Sequence, residues 1–243
     1  MNQRRGAKVG VGAVCAAVVA VGLQASAYAV SAQANSWPSA AGYFAFTSSA
    51  STSAGVTFKV PTVQCSSKLS WVAFGAFIVP VTSLGRLTAA AAVTAECLGG
   101  SNTTPIYSAF IEAAPFGFRP GFTPRAGDYV TVSAETSAST GINVTFRDRT
   151  QSATSVDGSS EHPTGTLVAL GGIVASPGNT PSGWLPVPNF GRVIYTDGTI
   201  NGATAATANG GALDMKSGKD TQIHTGVLFT TGDAWTEIFK AST

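Results

Sequence analysis

Two stretches of the chain are apolar at nearly every position, whereas most of the remainder alternates. The first, Thr166–Pro177, reads TLVALGGIVASP and places Leu167, Val168, Leu170, Ile173 and Val174 within twelve residues. Turn formers bound it: Ser159, Ser160, Pro163 and Gly165 before, then Pro177, Gly178, Asn179 and Pro181 after. The second, Leu69–Val79, reads LSWVAFGAFIV. An apolar run of this length between turn signals, rich in β-branched residues, predicts a strand buried on both faces. Glycine in such a strand packs nothing, so Gly171-Gly172 at the middle of the first run predicts a bulge or a close approach of backbones.

Elsewhere the period is two. Val56, Phe58 and Val60 alternate with Thr57 and Lys59; Tyr129–Glu135 and Ile142–Phe146 alternate likewise and predict a hairpin joined at Ser137–Gly141. Asn35–Phe46 reads as a turn entering an aromatic strand, Ser48–Gly55 as a loop and Ile106–Ala113 as a strand. The alanines of Leu87–Val93 fit either a short helix, by propensity, or a strand. A strand is expected, because Thr88, Val93 and Thr94 frame the run and Cys97 must reach Cys65. Phe190–Thr196 predicts a strand closed by a tight turn at Asp197-Gly198, with a loop over Thr199–Gly211. Leu213–Lys216, Thr225–Phe229 and Trp235–Phe239 read as closing strands. Many short strands separated by Gly, Pro, Ser and Asn predict an all-β chain, and no break in composition divides it.

Composition changes the picture only at the N-terminus. Arg4, Arg5 and Lys8 precede the uncharged apolar stretch Val9–Leu23, and small-residue cleavage sites follow, ending at Ala27, Ala29 or Ala34. That order predicts a secretory signal peptide over 1–34 and a mature domain over 35–243. Fifteen apolar residues are short of the roughly 20 that a membrane span needs, so no membrane attachment is expected after cleavage. The leader removes three of 14 basic residues and none of 12 acidic ones, leaving the mature chain near −1. With no basic run, nucleic-acid binding is not expected. Two cysteines remain, Cys65 and Cys97, and in an exported protein an isolated pair predicts one disulfide. Its loop of about 30 residues corresponds to roughly 3–4 kcal/mol on the chain-entropy model. No cysteine or histidine spacing fits a metal site, no cofactor motif is present, and a monomer is expected.

Several motifs, in order, resemble the eqolisins, a family of secreted glutamic peptidases. They are AGYFAF near Ala41, FKVPTVQC ending at Cys65, WVAFG from Trp71, AEC at Cys97 and YSAFIEAAP from Tyr107. GDYVTV from Gly127, FGRVIYTDG from Phe190, LDM and the terminal GDAWTEIFK complete the series. The resemblance implies a two-sheet antiparallel β-sandwich (a concanavalin-like jelly roll) with one sheet curved into a substrate cleft. It also implies peptide hydrolysis by a Gln and a Glu that activate water and stabilise the oxyanion.

Here the pattern departs from the family. The Gln position corresponds to Ala90, and no Gln occurs from Cys65 through Thr150. A motif like EWIVE corresponds to Gly171-Gly172-Ile173-Val174-Ala175, so the catalytic Glu is replaced by Gly171. Between Glu135 and Glu237 the one Glu is Glu161, in a loop-like segment with His162. The resemblance therefore implies a retained fold without its catalytic pair, with Trp71, Tyr107, Phe110, Glu112 and Trp184 as the residues expected at a cleft. The expected role is a binding or surface module for a peptide or a glycan; the alternative is an acid endopeptidase using other groups. Ser/His/Asp catalysis is not expected: there are two histidines and no Gly-x-Ser-x-Gly elbow.

Overall fold

The computed structural model describes residues 36–37, 39–48, 51–81, 87–118, 120–175, 185–208, 210–217 and 220–240. The leader and Trp184 lie outside these. Every regular element among the described residues is a strand. In chain order they are β1 (Ser36–Trp37), β2 (Ala40–Thr47), β3 (Thr52–Lys59), β4 (Ser70–Pro80), β5 (Ala89–Cys97), β6 (Ile106–Ala113), β7 (Phe116–Phe118) and β8 (Tyr129–Ser137). There follow β9 (Gly141–Asp148), β10 (Ala153–Ser159), β11 (Leu167–Ala175), β12 (Arg192–Ile200), β13 (Ala203–Thr204), β14 (Gly210–Ser217), β15 (Asp220–Thr225) and β16 (Trp235–Phe239).

Apart from β1, which pairs in parallel with β14, they form two antiparallel layers. The first runs β10-β9-β8-β3-β12-β16-β15-β14 and the second β14-β2-β11-β4-β5-β6-β7. Strand β14 belongs to both: Met215–Ser217 pair with β15, whereas Gly210–Leu213 pair with β2. The fold is thus the expected all-β sandwich. Its interior holds Phe58 and Tyr195 of the first layer against Phe74 and Ile173 of the second, closed at one end by Trp235, which stacks on Tyr195 at 5.3 Å. Cys65, beyond β3, is bonded to Cys97 at the end of β5, with Cα atoms 5.4 Å apart.

The alanine run is strand β5, held between the ladders of β4 and β6. Helix propensity is overridden because every residue from Ala89 to Ala95 is buried, and alanine on both faces lets neighbouring layers close in. One strand was not anticipated and three expectations need correction. Ala153–Ser159, for which no element was expected, forms β10 on the edge of the first layer, its exposed and half-buried residues alternating. The loop expected at Ser48–Gly55 already belongs to β3 from Thr52. Asp197-Gly198 does not end β12; it forms a bulge between Thr196 and Thr199, with Asp197 at φ 52°. The strand read at Thr225–Phe229 lies earlier, at Asp220–Thr225.

A crease crosses the second layer. Gly42 of β2, Gly172 of β11 and Gly75 of β4 stand in register, side by side. A Cβ on Gly42 would lie 2.2 Å from Gly171 O, one on Gly172 2.2 Å from Ala41 O, and one on Gly75 2.1 Å from Ala91 O. Gly42 and Gly172 have φ of 142° and 153°, a region essentially closed to residues with side chains. The crease also turns peptide groups out of the ladder toward the interior, where side chains of the first layer bind them. Tyr195 Oη donates to Gly172 O at 2.9 Å, and Gly42 N–H donates to Thr225 Oγ1 at 3.0 Å.

Gly172→Ala is therefore expected to destabilise the fold by about 2–4 kcal/mol, from backbone strain and overlap together. Gly211→Ala, on the same layer with no atom within 4 Å of its added methyl, is expected to be near neutral. Urea midpoints of the two variants check this; equal shifts would contradict the crease.

Candidate functional site

Within the second layer, side chains alternate between the sandwich interior and an outer face. On β5 the outer positions are Ala90, Ala92, Thr94 and Glu96; on β6 they are Ser108, Phe110 and Glu112, by the alternation that places Ala89, Ala91 and Ile111 in the interior core. The outer face gathers a second apolar cluster that includes Trp71, Phe77, Ala90, Phe110, Leu170 and Val174, with Phe44 and Leu185 packed on it. Cross-strand register sets one row, Phe44–Leu170–Phe77–Ala90–Glu112, beside the crease row Gly42–Gly172–Gly75–Ala92–Phe110.

The structure sorts the residues expected at a cleft. Trp71, Phe110 and Glu112 share the outer face, the two aromatics only 6% and 8% exposed and Glu112 half-buried. Tyr107 faces the interior instead, because it alternates with Ser108; its hydroxyl accepts from Val63 N–H and donates to Pro61 O, both at 2.9 Å. Burial raises that phenol above its ordinary value, with the Val63 hydrogen bond opposing. Trp184 lies outside the described residues.

Ala90 and Gly171 are not brought together. Ala90 is on the outer face, whereas a side chain at Gly171 would enter the interior, 2.8 Å from Val56 Cγ1 and 3.2 Å from Trp235 Cη2. The adjacent outer-face positions on β11 are Leu170 and Gly172, so a register slip of one residue in either direction supplies no carboxylate. The carboxylates the face does carry, Glu96 and Glu112, are separated by six residues' length of β5 (Glu112 stands opposite Ala90), roughly 20 Å at about 3.4 Å per residue. That is too far to divide acid and base roles over one bond.

Other groups with catalytic residue types serve local structure. Gln151 Nε2 donates to Asp128 Oδ2 at 2.7 Å, but the same oxygen accepts from Arg125 N–H at 2.8 Å. Neighbouring Asp148, fully buried, accepts from Thr150 and Gln151 N–H at 2.9 Å. Burial first, and then the Asp128 charge, push the Asp148 carboxyl up against those bonds. This cluster closes the turn after β9. His224 Nδ1 lies 3.2 Å from Asp214 Oδ1, a pair absent from any reading by sequence spacing. His162 contacts Ser137 O at 3.3 Å on the exposed loop after β10. No group of three or more His, Cys, Asp or Glu capable of holding a metal occurs among the described residues.

A second fully buried acid, Glu237, was not singled out by sequence because its motif, AWTEIF, reads simply as a closing strand. It is 0% exposed, on the interior side, with Trp235 Nε1–H on Oε1 at 3.0 Å and Thr225 Oγ1 at 2.9 Å from Oε2. Burial drives its pKa well above the ordinary value, the two hydrogen bonds oppose, and Asp214 adds to the rise. No substrate reaches it.

The interior geometry at Gly171 is testable. A methyl there meets Val56, whose branched side chain has little freedom to yield. Gly171→Ala is expected to cost about 1–3 kcal/mol. Adding Val56→Ala should recover about 1 kcal/mol or more relative to additivity; denaturant titrations of the four-member cycle measure this.

No family model and no curated protein matches the chain by sequence. Solved structures do match. A scytalido-glutamic peptidase bound to a peptide-based transition state analogue superposes with a TM-score of 0.61 at 17% identity, covering 84% of this chain and 98% of that one. The same peptidase with a transition state analogue inhibitor gives 0.60 at 16% identity, with the same coverage. SCP-B, described as a member of the eqolisin family in complex with the tripeptide Ala-Ile-His, gives 0.54 at 15% identity, again covering 84% and 98%. The creased sandwich built by this sequence is the fold of the eqolisin glutamic peptidases.

Proposed function

We propose that this chain is an exported, non-catalytic protein of the glutamic-peptidase fold that acts as a binding or surface module for extended peptide. One observation carries the reading: among the described residues the outer face has no amide–carboxylate pair. Ala90 and Gly172 occupy it, Gly171 faces inward, and Glu96 and Glu112 stand at opposite ends of β5. Peptide hydrolysis by activated water needs a base on the water and a donor for the developing oxyanion, both within hydrogen-bond reach of one carbonyl. Nothing on this face meets both demands.

Export is supported by the leader at 1–34 and by the Cys65–Cys97 disulfide. Peptide as the ligand class is supported by the tripeptide bound to SCP-B and by the aromatic floor of Trp71, Phe77 and Phe110. Leu185 packs on that floor, so a ligand contacts it only as Leu185 gives way.

The test is incubation of the chain, freed of its leader, with an unfolded protein from about pH 2 to pH 7, a range bracketing carboxylate titration. Fragments are read by mass spectrometry, and Glu112→Gln runs alongside. No cleavage by either protein is expected. Acid-dependent cleavage that survives repurification and is abolished in Glu112→Gln would overturn the reading.

A further inference from the structure

The hydrogen atoms around Thr225 do not suffice for an ionised Glu237. Thr225 Oγ1 lies 2.5 Å from Leu213 O, 2.9 Å from Glu237 Oε2 and 3.0 Å from Gly42 N. A hydroxyl has one hydrogen to give and two lone pairs to receive with. Leu213 O can only accept, and at the shortest of the three distances it claims the Thr225 hydrogen. Gly42 N–H fills one lone pair. The remaining contact joins two oxygens, and it becomes a hydrogen bond only when the carboxyl supplies the proton. Glu237 Oε1 is meanwhile satisfied as an acceptor by Trp235 Nε1–H.

We propose that Glu237 is held as the neutral acid in the folded protein, its Oε2–H donating to Thr225 Oγ1, and that this proton is a pH-sensitive lock joining β16 and β15 to β14 and to the crease at Gly42. The surroundings of Glu237 agree from every side. Tyr43 of β2 and Tyr195 of β12 face it as neutral phenols whose own pKa values are raised chiefly by burial and further by Glu237. Asp214 of β14 acts on it as a like charge; its Oδ1 accepts from Thr225 N–H at 2.8 Å and pairs with His224 of β15. No cation is among the groups acting on the carboxyl. Loss of the proton would leave a bare charge in the interior with oxygen facing oxygen.

The sign of the effect follows. A carboxyl whose folded pKa lies above its unfolded value contributes stability that is complete in acid, below about 4.3. That contribution is lost as pH rises through the folded pKa. Glu237→Gln is the fixed neutral counterpart: its amide N–H donates to Thr225 Oγ1 and its carbonyl accepts from Trp235. Unfolding of the wild type and Glu237→Gln by denaturant is followed from pH 4 to pH 9. The two are expected to agree closely below about pH 4.3; between the unfolded and the folded pKa the ratio of their unfolding constants grows about tenfold per pH unit in favour of Gln, one proton being linked, and it levels off above the folded pKa. Titrating groups that do not interact with Glu237 contribute equally to both proteins and cancel in the ratio. A ratio that is constant across the range, or that turns against Gln as pH rises, overturns the proposal. If Glu237→Gln does not fold, wild type labelled with carbon-13 at glutamate carboxyls answers the question. One of the five Glu signals must retain the protonated-acid chemical shift at pH 7, and five ionised signals would refute it.

Discussion

The fold depends on a backbone contact that tolerates no Cβ. Gly42, Gly172 and Gly75 stand in register across three central strands, each where an added methyl would sit about 2 Å from a carbonyl oxygen of the next strand. Flat pleated strands meet through a regular ladder; here the row folds, and some peptide groups leave the ladder and point into the sandwich. Buried peptide groups must be satisfied. Tyr195 reaches from the opposite layer for Gly172 O, and Thr225 for Gly42 N–H. The need for Thr225 to accept in turn brings Glu237 and Trp235 into the interior. A local backbone choice in one sheet thereby dictates the polar residues of the other.

Polar chemistry is thereby concentrated in the interior. The interior contains the acid, the phenols and the hydroxyl, all fully engaged. The outer face of the same layer is largely aliphatic and aromatic, with Thr94 and Ser108 as hydroxyls and, among the described residues of β5 and β6, carboxylates toward the strand ends. Gly171 completes the separation. An added Cβ there would lie 2.8 Å from Val56 and 3.2 Å from Trp235, so a longer side chain would have to displace the core.

Much of this was legible in the sequence, and the failures have physical causes. The two continuous apolar runs became β4 and β11, buried throughout, and Gly171-Gly172 marked a close approach. The cysteines paired. Strand β10 was hidden because an edge strand with exposed polar residues resembles a loop until its partner β9 is known. Asp197-Gly198 has turn chemistry, but it is spent on a bulge inside β12, a choice that only the neighbouring strands β3 and β16 determine. Tyr107 was placed with the cleft residues by motif, whereas its face is set by alternation along β6 and by Pro61 and Val63, more than forty residues away in sequence. Glu237 carried no signal at all: a single acid in a short strand reads as a surface residue, and its burial arises from contacts with β2, β12, β14 and β15.

If the catalytic pair is absent, as proposed, one quantitative difference from a working peptidase follows. Catalytic groups bind the transition state more strongly than the substrate, so analogues of the tetrahedral intermediate bind active enzymes about 10²-fold or more tighter than matched substrates. Calorimetric titration of the leaderless chain in acid with a peptide-based transition-state analogue, and with the substrate peptide of the same sequence, isolates that difference. With Ala90 and Gly172 on the outer face, the two affinities should agree within a few-fold, whether binding is weak or strong. An analogue bound a hundredfold more tightly than its peptide would mean that a working amide and carboxylate face the ligand, and the account would be wrong.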